Sequence, residues 1–261
     1  CSLNIPLEDQ FSDPDAITDV LSARSLLASA YKAMPQQIFQ LSVLSDDFCP
    51  SQHLNKDMSL QGLYNWREVE MTELAGTLWA GYYAVIAEVN ALLARIDAVV
   101  TLDETEKLEK MRIVCEAKAL KSWCYFDLLR LFAPRYEGNE NKDGIILKKR
   151  VELDFLPRSS VKECVTEIRT LLNEARNVDN TQKNVYWLSD KAVAYLQVEL
   201  ELYAGNYPAV LELTKDLETE YPESVLGADV YKYLWSSENS DARIFGKYQL
   251  EQIYMDIRFD T

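Results

Sequence analysis

The stretch EAKALKSWCYFDLLRLFAP, residues 116–134, constrains this chain more than any other. At about 100° per residue, Leu120, Trp123, Cys124, Tyr125, Phe126, Leu128, Leu129 and Phe132 point in nearly every direction around a helix. A helix apolar on all sides has to be enclosed by neighbours, because no rotation leaves a polar face for water. Pro134 stops it. The segment therefore reads as the central helix of a helical array, with Lys118, Lys121 and Arg130 reaching water by extending their stems over apolar surface.

The flanking segments supply enclosing helices. Ile17, Val20, Leu21, Leu27, Tyr31 and Met34 recur at helical spacing after SDPD, giving a first helix over about 15–34. From Pro35 to about residue 70 the pattern weakens and reads as a long loop with short turns, of a kind that in compact domains is usually functional or mobile. Leu74, Leu78, Trp79, Tyr82, Ile86, Val89, Leu93 and Ile96 form the stripe of a second helix over about 71–99. Thr101 and Glu104 then make a capping-box pair that opens a third helix near Leu102, running to Pro134. Residues 135–150 are a polar loop ending in a short extended run, Ile145 to Leu147. Ser160 and Glu163 form a second capping box, opening a fourth helix to about 177 with Val165, Ile168, Leu171 and Leu172 inward. Ser189 opens a fifth helix to about 204.

Its partner follows a turn at Gly205, Asn206 and Tyr207, and Pro222 stands seventeen residues after the glycine. That spacing resembles the second half of a tetratricopeptide repeat, with small Ala209 allowing close approach, although Ala194 occupies a position where the repeat carries a bulky aromatic; an ordinary helical hairpin is the alternative. Beyond Gly227 a strand pair and a final helix fit equally. With only 8 glycines and 8 prolines in 261 residues, turn-rich β architectures are disfavoured. The expected fold is all-α: tetratricopeptide-like stacked hairpins at about 71–134 and 159–222 with long loops, one domain over 15–261 after an N-terminal segment 1–14.

Several functions fall away. A net charge of −15 with no basic stripe excludes a nucleic-acid partner. The most apolar window, residues 78–96, is broken by Glu88, Asn90 and Arg95, so no segment reads as membrane-spanning. Cys49, Cys115, Cys124 and Cys164 form no CxxC and no Cys/His cluster, which argues against zinc. Cys115 and Cys124 would lie about 13 Å apart along one helix and on opposite sides, so they cannot bond; buried thiols are expected. His53, the single histidine, lacks a nucleophile elbow and reads as a solvated loop residue. No catalytic residue, cofactor or metal is expected. Asp46 and Asp47 in the long loop could present oxygens to a sugar or cation, or serve as caps. Trp66 beside Tyr64 and Asn65 suits the apolar face and hydroxyl edge of a sugar ring, or anchors the loop on the second helix. Cys1 stands where a methionine would, as in a mature lipoprotein whose first residue carries the lipid, or at an arbitrary boundary.

Together, several segments resemble the SusD/RagB family of Bacteroidetes outer-membrane lipoproteins. Trp79, Tyr82 or Tyr83, Ile86 and Asn90 are similar to its W-x-x-x-Y-x-x-I-x-x-x-N helix. Glu116, Ala117, Leu120, Tyr125, Phe126, Leu128, Phe132 and Pro134 resemble its E-A-x-x-L-R-A-x-x-Y-F segment, with Lys121 replacing the arginine and Ala133 the later glycine. Residues 156–175 and 189–213 resemble its P-R-x-S/T-V helix and its K-x-A-A helix pair, and Cys1 its lipidated cysteine. The resemblance implies a scaffold lipid-anchored to the outer membrane at the cell surface. It would bind a glycan, oligosaccharide or peptide without catalysis and dock as a lid on a SusC-like TonB-dependent transporter. Members commonly carry an irregular C-terminal half that helps build the ligand site. An alternative use of the same grooves is to hold a protein partner, with no small ligand.

Overall fold

The computed structural model describes residues 17–49, 58–151, 155–176 and 187–220; Cys1, His53, Pro222 and everything after 227 lie outside them. Helix α1 (Val20–Lys32) is set by Asp19, whose carboxylate accepts from the Ser22 amide at 2.7 Å while Ser22 Oγ accepts from the Asp19 amide at 3.2 Å. This reciprocal pair starts the helix at Val20 rather than near residue 15. Residues 35–70, expected as loop, instead hold α2 (Ile38–Leu44) and α3 (Met58–Tyr64). Each has only 7 residues, too few turns for a 3.6-residue period to stand out.

Helix α4 (Glu68–Arg95) continues into a 3₁₀ turn at Ile96–Ala98. Glu68 and Glu70 lie in its first turn, where the helix dipole favours negative charge. By length and composition α4 could cross a bilayer. Its Leu78, Val85, Ile86 and Val89 stripe is instead buried, and the helix packs on α1, α3 and α5.

Helix α5 (Glu104–Phe132) is capped by Asp103, not Thr101: Asp103 accepts from the Glu106 amide at 2.8 Å and Glu106 accepts from the Leu102 amide at 2.7 Å. A carboxylate accepts more strongly than a threonine hydroxyl, which favours a cap two residues along, without the reciprocal bond of a capping box. Helix α5 touches α1, α4, α6 and α7, and Leu120, Cys124, Tyr125, Leu128 and Leu129 are all fully buried. Each such leucine stabilises the fold by roughly 1.5–3 kcal/mol.

Lys121 does not reach water. It is 4% exposed, and its ammonium donates to Asn90 Oδ1 at 2.6 Å and lies over the Tyr125 ring at 5.6 Å. Burial lowers its pKa to about 8. Asn90 Nδ2 and the Tyr125 hydroxyl both donate to the Lys148 carbonyl, at 2.9 and 2.7 Å. The Tyr83 hydroxyl bonds the amide and the carbonyl of Ile146 at 2.9 and 2.8 Å. Side chains of α4 and α5 thus pin residues 145–148 as a strap; the extended run makes no strand, only an isolated bridge between Asp143 and Ser160.

Helix α6 (Val161–Ala175) carries the expected Ser160/Glu163 capping box, and Ser189 caps α7 (Asp190–Tyr203). Gly205, at φ 70°, turns the chain into α8 (Tyr207–Glu220). Successive packing of α5 on α6, α6 on α7 and α7 on α8 gives the stacked helical array that the spacing implied. Cys124 and Cys164 are buried and Cys115 is half-buried, but Cys49, just past α2, is exposed. One partly buried network ties α1 to α5 and to residues 187–188. Glu116, 2% exposed, accepts from Arg24 Nη1 at 2.9 Å and from the Tyr31 hydroxyl at 3.3 Å. Arg24 also pairs with Glu109 and lies 4.9 Å over the Trp187 ring, and Tyr31 Oη accepts from the Leu188 amide at 3.1 Å.

Candidate functional site

Helices α2 and α3 pack together and end in the same way. The Asp46 amide donates to Val43 O at 3.4 Å and the Asp47 amide to Ser42 O at 2.9 Å. At α3 the Trp66 amide donates to Leu63 O at 3.0 Å and the Arg67 amide to Gly62 O at 2.8 Å. Both are Schellman endings, which require a left-handed residue where glycine is usual. Here Asp46 sits at φ 65° and Trp66 at φ 54°. A bulky residue in that region costs about 1–2 kcal/mol relative to glycine. Two sequence candidates therefore owe their backbone geometry to helix termination.

The structure draws some of these residues together. The Tyr64 hydroxyl is pushed above its ordinary pKa, first by its hydrogen bond with Cys49 and then by electrostatic interaction with Cys49 and Asp46, so these three groups share one exposed corner. Trp66 is 64% exposed, so it is not a core anchor for this segment. Asp47 and Asn65 turn inward on their own helix ends: Asp47 Oδ2 accepts from Ser45 Oγ at 2.9 Å, and Asn65 Nδ2 donates to Gln61 O at 2.8 Å. The corner thus offers a phenol and the Asp46 carboxylate, and the exposed Trp66 indole follows Tyr64 by two residues in the chain. No group of three or more His, Cys, Asp or Glu among the described residues could hold a metal ion.

A second feature was not visible in the sequence. A cleft of about 320 Å³ opens where the segment entering α2 crosses α4 and α5. Pro35, Gln37, Ile38 and Leu41 form one side; Leu78 and Tyr82 of α4, with Trp123, Asp127 and Arg130 of α5, form the other. Pro35 lies close over Gly81, where a Cβ would come within 3.0 Å of its ring. Asp127 accepts from the Tyr82 hydroxyl at 3.0 Å and from Arg130 Nη2 at 2.5 Å. The Arg130 guanidinium stacks 4.5 Å over Phe126, with Glu199 at 3.7 Å. Burial, then the Asp127 charge, push the Tyr82 hydroxyl far above its ordinary pKa. Gln37 Oε1 is buried without a hydrogen-bond partner. Trp123, read from sequence as core, is only half-buried. The one available signal was Asp127 and Arg130, charged at i and i+3 inside an apolar run.

A family described as "Starch-binding associating with outer membrane", SusD-like, matches residues 7–199. The chain belongs to this SusD-like family. No curated protein matches it significantly. Among solved structures, it is similar to a putative sugar binding protein from Bacteroides vulgatus, at TM-score 0.70 and 19% identity over 88% of this chain and 54% of that one. A SusD superfamily protein from Bacteroides fragilis aligns at TM-score 0.70 and 21% identity, covering 88% and 56%. A laminarin binding SusD-like protein aligns at 0.64 and 19%, covering 85% and 49%. At these identities the likeness establishes the fold, and the chain spans about half the length of these structures.

Proposed function

We propose that this protein binds a glycan or oligosaccharide at the cell surface without catalysis, held to the outer membrane by a lipid on Cys1. It hands its ligand to a SusC-like TonB-dependent transporter. The exposed Trp66 ring, two residues past Tyr64 in the chain, carries the reading, because an indole face takes the C–H face of a sugar while the Tyr64 phenol and the Asp46 carboxylate, which interact with each other, can take its hydroxyls. Asp47 and Asn65 support that corner by holding the two helix ends. The family description, starch-binding and outer-membrane associating, and the sugar- and laminarin-binding names of similar structures support the ligand class and location.

Titration calorimetry against a panel of neutral oligosaccharides tests this reading. Binding that Trp66→Ala weakens about tenfold, the loss expected for one aromatic anchor, supports it. Exposed Tyr207 and Leu211 on α8 favour a second reading, a scaffold for a protein partner. Silence across the panel, with a large β-barrel retained on the intact protein, would select that alternative.

A further inference from the structure

The cleft at Trp123 is distinct from the Trp66 corner: it opens on the N-terminal half of α2, whereas Asp46 and Trp66 lie past the C-terminal ends of α2 and α3. Its chemistry is mixed in a specific way. Trp123, Tyr82 and Ile38 supply apolar surface, and Asp127 with Arg130 forms a polar edge already locked in place. A carboxylate accepts about four hydrogen bonds and a guanidinium donates five, so both keep capacity for a ligand after pairing with each other. Phe126 beneath Arg130 fixes the guanidinium plane, which reduces the ordering cost of binding. Gln37 Oε1, buried and unpartnered at the rim, lacks a donor, and a group that supplies one relieves a desolvation cost.

Ligand classes can be ranked against this wall. An acyl chain would cover Asp127, Arg130 and Gln37 without bonding them, which is costly. A phosphate or uronate meets two carboxylates, Asp127 and Glu199, against the single Arg130 that they already neutralise. A neutral pyranose offers an apolar face to the indole and hydroxyls that both donate and accept. A volume of about 320 Å³ sits at the low end for small-molecule sites, enough for a short segment and not for a long chain. We propose that this cleft is a second carbohydrate subsite, which takes the terminal one or two rings of a neutral glycan with Trp123 as platform and Asp127 and Arg130 as the hydroxyl-reading edge. The proposal rests on the glycan-binding reading and adds a location and a charge preference to it.

Full-length protein labelled with 5-fluorotryptophan tests the subsite by fluorine NMR, with resonances assigned through Trp123→Phe and Trp66→Phe. Maltotriose and laminaritriose are the neutral probes and a galacturonate trimer the anionic one. At least one neutral probe shifts the Trp123 resonance, and the galacturonate trimer does not. Ile38→Trp, which fills the cleft from an exposed position, and Arg130→Met each weaken that probe about tenfold, and thermal unfolding stays unchanged for Ile38→Trp. Saccharide binding that moves Trp66 alone and ignores Ile38→Trp overturns the subsite and leaves the glycan reading standing. An anionic probe that moves Trp123 overturns the charge preference, and no binding by either neutral probe overturns both readings.

Discussion

Replacing Glu116 by glutamine tests how the buried network between α1 and α5 depends on pH. One Glu116 oxygen accepts from Arg24 and Tyr31, and the other is buried without a partner. Desolvation outweighs the attraction of Arg24 and raises the carboxyl from its ordinary 4.5 to about 7. Between those values the folded chain holds the extra proton, so this group's contribution is greatest below 4.5 and is lost as pH rises through 7. The gap corresponds to about 3 kcal/mol of stability. Urea unfolding at pH 5 and pH 8 reads it directly: the native protein loses up to about 3 kcal/mol from this source, and Glu116→Gln loses none of it. Glu88, also raised by burial, contributes with the same sign in both proteins and cancels in the comparison. Glu163, lowered by its bonds from Ser160, and Glu201, lowered by Arg169 and Asn206 despite burial, contribute stability above their ordinary values that is lost below, outside this window. Parallel pH slopes for the two proteins would refute the reasoning.

Three further substitutions probe local geometry by the same urea assay. Gly205→Ala has open space for its methyl but must hold φ 70°, so it costs about 1–2 kcal/mol from the backbone alone. Gly144→Ala would place a Cβ 2.8 Å from Cys164 Sγ and 3.0 Å from the Ser159 carbonyl, and is expected to cost about 1–3 kcal/mol by displacing the strap from α6. Ser160→Ala removes the acceptor for the Glu163 amide and costs about 1 kcal/mol.

What could be read along the chain was whatever depends on near neighbours. The Ser160 and Ser189 caps and the Gly205 turn each act within a few residues, so their chemistry is written in the local sequence. The all-round apolarity of residues 116–134 likewise demanded enclosure, whatever the enclosing partners proved to be. Position 121 shows where that reasoning stops. A lysine there reads as a snorkelling surface residue until Asn90, 31 positions earlier, supplies the acceptor that lets its ammonium stay inside.

The candidate binding surfaces divide on the same line. Aromatic and polar residues at 64–66 announced the exposed corner, although α2 and α3 were too short to be seen and the left-handed backbone of Asp46 and Trp66 arises from how those helices end. The cleft draws on segments near residues 35, 80 and 125, which no pattern in any one of them connects. Sequence periodicity thus determined that the chain would stack helices, because burial of a stripe is a one-dimensional property of each helix. Only tertiary packing decided which side chains face a common space, because that depends on where separate helices cross.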